Sequence, residues 1–128
     1  MIALYRADIR ASIATLKEYT KMRAKLYEIA VPTRDNKGKS YEKSIALFEE
    51  QLLAYADGFT RMPNAEGYWR DPKSGKVYFD VMRGYRVATS GKIFARIVDR
   101  AFDLFHDQLA IFTADIGSAR IVSRPRSF

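Results

Sequence analysis

Along the first stretch of the chain, Tyr5, Ile9, Ile13 and Leu16 fall on one helical stripe. Arg6, Asp8, Arg10, Lys17, Glu18 and Lys21 fall elsewhere, so the spacing predicts an amphipathic helix over residues 3–22. From Lys25 to Val31 the period changes to two, with Tyr27, Ile29 and Val31 on one face and Pro32 ending a short strand. Thr33 to Ser40 is polar, contains Asn36, Lys37 and Gly38, and reads as a loop. Ser40 then offers an N-cap, and Ile45, Phe48, Leu52 and Tyr55 return to helical spacing before Asp57-Gly58 closes the helix, with Gly58 expected in the left-handed conformation. Phe59 to Asp71 is interrupted by Pro63 and Gly67 and predicts an irregular or bulged strand, followed by a turn over Asp71-Pro72-Lys73-Ser74-Gly75. Val77, Phe79, Val81, Tyr85 and Val87 alternate along one long strand, completing a hairpin. Thr89-Ser90 caps a further helix whose stripe is Phe94, Ile97, Val98, Ala101, Leu104 and Phe105, and Gln108 to Thr113 is expected as the last strand.

After the first helix the order is βαββαβ, which defines an α+β, ferredoxin-like domain with two helices on one face of a four-stranded antiparallel sheet. The chain is 128 residues long, so this single domain accounts for nearly all of it, with residues 1–23 as an N-terminal helical extension and residues 116–128 as a basic tail. A sheet covered on one face leaves the other open, and the hairpin carries large apolar groups on both sides. The expectation is therefore a homo-oligomer, a trimer or a dimer, unless the N-terminal helix covers the open face within the chain.

Composition narrows the chemistry. With 48% hydrophobic and 29% charged residues the chain is an ordinary globular sequence, and no window reaches the roughly 18 to 20 apolar residues of a membrane helix. The start of the chain lacks the pattern of a signal peptide, so a cytoplasmic location without membrane association is expected. No cysteine is present, which excludes disulfides, thiolate metal sites and cysteine nucleophiles. The single histidine, His106, supports no histidine-rich metal site, so neither metal nor other cofactor is expected. Twenty-two Lys and Arg against 15 Asp and Glu give a net charge of +7, favourable to anionic partners, yet the basic residues are spread along the chain as on a solvated surface.

Four motifs invite a functional reading. Ser74-Gly75-Lys76 and Ser90-Gly91-Lys92 lack the earlier glycine of a phosphate loop and are read as turn and cap. Arg83-Gly84-Tyr85, with Leu26-Tyr27 on the first strand, matches the opening of the signature of RNA-recognition domains, and keeps nucleic acid as an alternative partner. The richest cluster is Glu66-Gly67-Tyr68-Trp69-Arg70-Asp71, with Asp80 across the hairpin. There, rings could stack on a base or a sulfonium centre, carboxylates attract a cation, and Arg70 could clamp a carboxylate. A surface hairpin with ordinary cross-strand ion pairs is the plainer account of the same residues.

At this cluster the chain resembles the phage-type S-adenosylmethionine lyases, formerly called hydrolases, and small uncharacterised bacterial ferredoxin-like proteins. Gly67-Tyr68-Trp69-Arg70-Asp71 is similar to the lyases' Gly-x-Tyr-Arg-Glu, and Tyr85-Arg86-Val87 and His106 to Phe112 to their later strand and helix–strand junction. The resemblance implies a trimer binding an adenosyl-type ligand between subunits and cleaving S-adenosylmethionine to methylthioadenosine and homoserine lactone, the substrate's own carboxylate attacking beside the sulfonium. It puts Trp69 and Asp80 in the catalytic positions and makes Glu66, Tyr68 and Arg70 ligand-binding. Whether the chain is an enzyme stays open, beside a non-catalytic structural or interaction protein and an RNA-binding module.

Overall fold

A computed structural model describes residues 20–124. Its elements are β1 (Thr20–Pro32), α1 (Glu42–Ala56), β2 (Thr60–Arg61), β3 (Ala65–Arg70), β4 (Val77–Thr89), α2 (Gly91–Leu104) and β5 (Phe112–Ser123). The sheet is antiparallel, ordered β2-β4-β1-β5, with β3 continuing the β2 edge of β4. Both helices cover one face, which is the ferredoxin-like α+β arrangement expected from the sequence.

The core follows the two periodicities. Tyr27, Ile29 and Val31 of β1 and Tyr85 and Val87 of β4 point to the same side of the sheet, where Phe48 and Leu52 of α1 and Phe94, Ile97 and Ala101 of α2 meet them. Tyr27 stacks on Phe94 with ring centroids 4.2 Å apart, and Phe105, just beyond α2, packs edge-on against Phe48 and Tyr41. Ser90 caps α2 as expected, its Oγ accepting from the Ile93 N–H at 3.2 Å. At α1 the N-cap is Tyr41, whose side chain makes no capping bond, while Ser40 Oγ accepts from the Glu42 N–H at 3.1 Å.

The termini differ from the expected pattern. Residues 20–22 belong to β1, not to the helix expected over 3–22, and the rest of that expectation lies outside the described residues. At the other end, residues 108–111 are loop, and the last strand runs over Phe112–Ser123, through most of the stretch expected as a tail. Thr20 to Leu26 pair with Ser123 to Gly117, so each of these segments completes the other's ladder. A bulge sits in β5 where Leu26 faces Gly117 and Tyr27 faces Asp115, leaving Ile116 as the extra residue. Gly117, at φ +133, takes a backbone conformation that side chains rarely adopt. The left-handed residue closing α1 is Asp57 at φ 60, one position before the expected Gly58.

The β3–β4 hairpin reaches past the sheet. The last register pair between β1 and β4 is Pro32 with Met82, whereas β3 pairs with β4 from Met82 back to Val77. Beyond the Thr33 N–H, which donates to the Val81 carbonyl at 3.0 Å, the hairpin is a two-stranded arm. Its turn forms as expected: the Asp71 carboxylate accepts from the Lys73 N–H and the Ser74 hydroxyl, and Gly75 sits at φ +71.

Candidate functional site

Alternation along the arm distributes the residues expected to form one site over two faces. Register pairs Gly67 with Asp80 and Trp69 with Tyr78, so Trp69 and Asp80 share the face directed away from the helices. Glu66, Tyr68 and Arg70, paired with Val81, Phe79 and Val77, lie on the opposite, helix-side face. Trp69 is 54% exposed and stacks on Tyr78 at 4.8 Å, and Lys76 Nζ lies 5.1 Å from the Tyr78 ring centre. On the other face Tyr68 is 67% exposed, leans on Phe79 and donates its hydroxyl to Glu66 Oε2 at 2.9 Å, which raises the Tyr68 pKa. Arg70 donates to the Gly75 carbonyl at 2.9 Å, closing the turn. Within one chain the aromatic and carboxylate groups of Trp69 and Asp80 are thus brought to one side, and Glu66, Tyr68 and Arg70 to the other.

The alternative RNA surface is corrected by burial. Tyr85 is fully buried between Phe48 and Phe59, and Tyr27 lies under α2 against Phe94, so neither ring is available to stack on a base. Both occupy the helix-covered face; the signature of RNA-recognition domains needs its aromatics on the open one.

At the root of the arm the chain builds two polar centres that the sequence did not announce. In the first, Glu49 of α1 reaches across to β2 and β4. It accepts from Arg61 Nε at 3.0 Å and from Arg61 Nη2, and from the Tyr85 hydroxyl at 2.6 Å, with Arg83 Nη1 3.7 Å away. Burial alone would raise the Glu49 pKa, but the bonds from Arg61 and Tyr85 and the charges of Arg61 and Arg83 outweigh it and hold the carboxyl below its ordinary value. Burial and the bond to Glu49 push the Tyr85 hydroxyl well above its usual range. The signal for this cluster lay in the helical stripe: Glu49 stands between Ile45, Phe48 and Leu52, on the core-facing side where a carboxylate needs partners.

In the second centre Asp107, after α2, ties down the loop between β1 and α1. Its carboxylate accepts from the Asn36 N–H at 2.8 Å, from the Tyr41 hydroxyl and from Gln108 Nε2 at 3.0 Å, and Asn36 Nδ2 donates to its carbonyl. Burial would raise the Asp107 pKa, yet these bonds keep it below the carboxylate norm; Tyr41, buried and bonded to it, is pushed up to about 12. Asp107 is thus a structural clamp. His106 beside it is exposed, with its ring edge-on to Tyr41.

Beside the Glu49 centre, and sharing Arg83 with it, lies an open pocket of about 440 Å³, walled by Arg34 from the β1–α1 loop, Glu42 and Ile45 from the first turn of α1, Asn64 from the β2–β3 break, and Val81 and Arg83 from β4. Among the described residues no group of three or more His, Cys, Asp or Glu side chains is placed to hold a metal ion, and no helix is long and apolar enough to cross a membrane.

Taken together, the strand order and helix placement define the ferredoxin-like class. No family model matches the sequence, and no curated protein matches it. Among solved structures, the chain is similar to the divalent cation tolerance protein CutA1 of Thermus thermophilus, with TM-score 0.53 and 20% identity over 74% of this chain and 84% of that one. It is also similar to CutA of Synechococcus elongatus, with TM-score 0.50 and 9% identity over 78% of this chain and 85% of that one. At these identities the likeness establishes the fold. The resemblance to S-adenosylmethionine lyases is corrected by these neighbours, which are CutA-type proteins, and the adenosyl ligand and the carbon–sulfur cleavage implied by that resemblance fall with it.

Proposed function

We propose that this chain works as a homo-oligomer, a dimer or a trimer, held together through the arm formed by β3 and the first half of β4. The observation that carries this reading is the placement of large apolar side chains on both faces of a ribbon that has left its own sheet. Trp69 and Tyr78 stand on one side, and Tyr68, Val77, Phe79 and Val81 on the other, each at least 36% exposed. A two-stranded ribbon alone in water is marginal, and apolar surface of this extent marks a contact with another molecule. Full burial of a large apolar side chain contributes about 1.5–3 kcal/mol, and each of these, already half-buried, retains roughly half of that to offset the entropy of association. A second copy fits because the same arm, presented by every chain, closes a symmetric assembly.

Light scattering on the full chain tests the reading. A mass of two or three chains is expected, falling to one chain when Phe79→Glu and Trp69→Glu are combined while the far-ultraviolet spectrum is retained. A single-chain mass for the unsubstituted protein at high concentration would remove it. The Thermus thermophilus protein of similar fold is described as a divalent cation tolerance protein, and we extend that role to this chain as part of the same proposal. Cells lacking the protein should then grow less well in excess divalent transition metal, and equal growth would withdraw the extension.

A further inference from the structure

We infer that the pocket at the root of the arm binds a small apolar α-amino acid, Arg34 and Arg83 taking its carboxylate and Glu42 its ammonium group. All walls of the pocket come from one chain, and one of them, Val81, also stands on the arm face assigned above to the contact between copies. Its volume of about 440 Å³ lies in the range of small-molecule sites, about 300–1,000 Å³.

The donors and acceptors left over define the ligand. Arg83 is fixed from behind: its Nε donates to Asn64 Oδ1 at 2.9 Å and its Nη1 faces Glu49 at 3.7 Å. A guanidinium carries five N–H groups, so its remaining edge keeps donors for a carboxylate. Arg34 donates from Nη1 to the Gly38 carbonyl at 3.0 Å and, among the described residues, spends no other donor. Glu42 lines the same pocket and makes no side-chain hydrogen bond or ion pair among the described residues. A wall with two guanidinium groups and one unpartnered carboxylate suits a ligand carrying both signs and disfavours a multiply charged anion, which Glu42 would repel. Ile45 and Val81 complete the wall with apolar surface for the ligand's side chain. Glu49 acts here as a positioning residue, holding the Arg83 guanidinium without reaching the pocket itself.

The experiment uses the full chain, thermal shift and titration calorimetry, with leucine, 4-methylpentanoate and 3-methylbutylamine as probes, followed by the other apolar amino acids. Leucine or another apolar amino acid is expected to bind, with its carboxylate-only and amine-only relatives weaker. Arg34→Gln, on a loop, should weaken the amino acid by about tenfold or more, as for loss of a charge-assisted bond. Glu42→Gln should weaken the amino acid but strengthen 4-methylpentanoate, from which it removes a like charge, a difference that a general loss of structure would not produce. The inference is overturned if no apolar amino acid binds the folded protein, if Arg34→Gln binds it as well as the unsubstituted chain, or if inorganic phosphate binds more tightly. Light scattering on the same samples reads the assembly separately, so failure of one proposal is distinguishable from failure of the other.

Discussion

The Tyr85 hydroxyl donates to Glu49 Oε2 at 2.6 Å, bonding the middle of β4 to α1 beneath the sheet. The tyrosine has no exposed surface, and the carboxylate also receives Arg61, so the bond is part-buried and charge-assisted. Tyr85→Phe keeps the ring against Phe48 and Phe59 while leaving Glu49 one donor short. A loss of about 1.5–3 kcal/mol in urea-unfolding free energy is expected, with the dependence on urea unchanged. A loss under half a kilocalorie would mean that water replaces the hydroxyl.

Glu49 also sets a pH dependence. Its carboxyl is held below the ordinary value of 4.5 in the folded chain, so the unfolded chain takes up this proton first as pH falls. The stability it contributes is complete above that ordinary value and is lost as pH drops through the lower folded value. Unfolding free energies measured across this acid window should fall less steeply for Glu49→Gln than for the unsubstituted chain. Parallel slopes would show that other carboxylates carry the acid response.

Trp69 is the only tryptophan, so its emission reports on the arm alone. If another copy covers the arm, dilution should move the emission to longer wavelength as the indole is wetted, in step with the fall in mass by light scattering. Emission that shifts without a change in mass would point to motion of the hairpin within one chain.

Asp57 holds a left-handed backbone that glycine adopts at no steric cost. Its N–H closes α1 on the Leu53 carbonyl at 3.1 Å, a bond that survives loss of the side chain. Asp57→Gly should therefore raise thermal stability, by about 0.5–1 kcal/mol. A decrease would show that the carboxylate makes a contribution its exposed position does not suggest.

Where one periodicity ran unbroken, the fold was legible in the sequence. The stripe from Phe94 to Phe105 gave α2 with its Ser90 cap, and the alternation from Val77 to Val87 gave β4. In β5 the apolar residues Phe112, Ala114 and Ile116 hold even positions, and after the bulge Ala119 and Ile121 hold odd ones. That inserted residue reverses the phase, so the strand reads as two fragments and its second half as a tail. Likewise, the cluster around Trp69 was dense in sequence, but density along a strand says little about sharing a face, since neighbours point apart. The Glu49 centre draws on three elements, and the pocket beside it on four segments; the sequence marked only Glu49 itself, on the core stripe of α1, and none of the partners that folding brings to it.

Pro63 separates Thr60–Arg61 from Ala65–Arg70 along the outer border of the sheet. Lacking an N–H, it leaves a gap in the row of backbone groups that a stray unfolded chain would use to attach. The longest uninterrupted stretch on that border is the 6 residues of β3. On this border, where the ribbon carries its oily surface, the interruption leaves sticking to side chains, which can be selected for shape, and disfavours main-chain zippering, which cannot be.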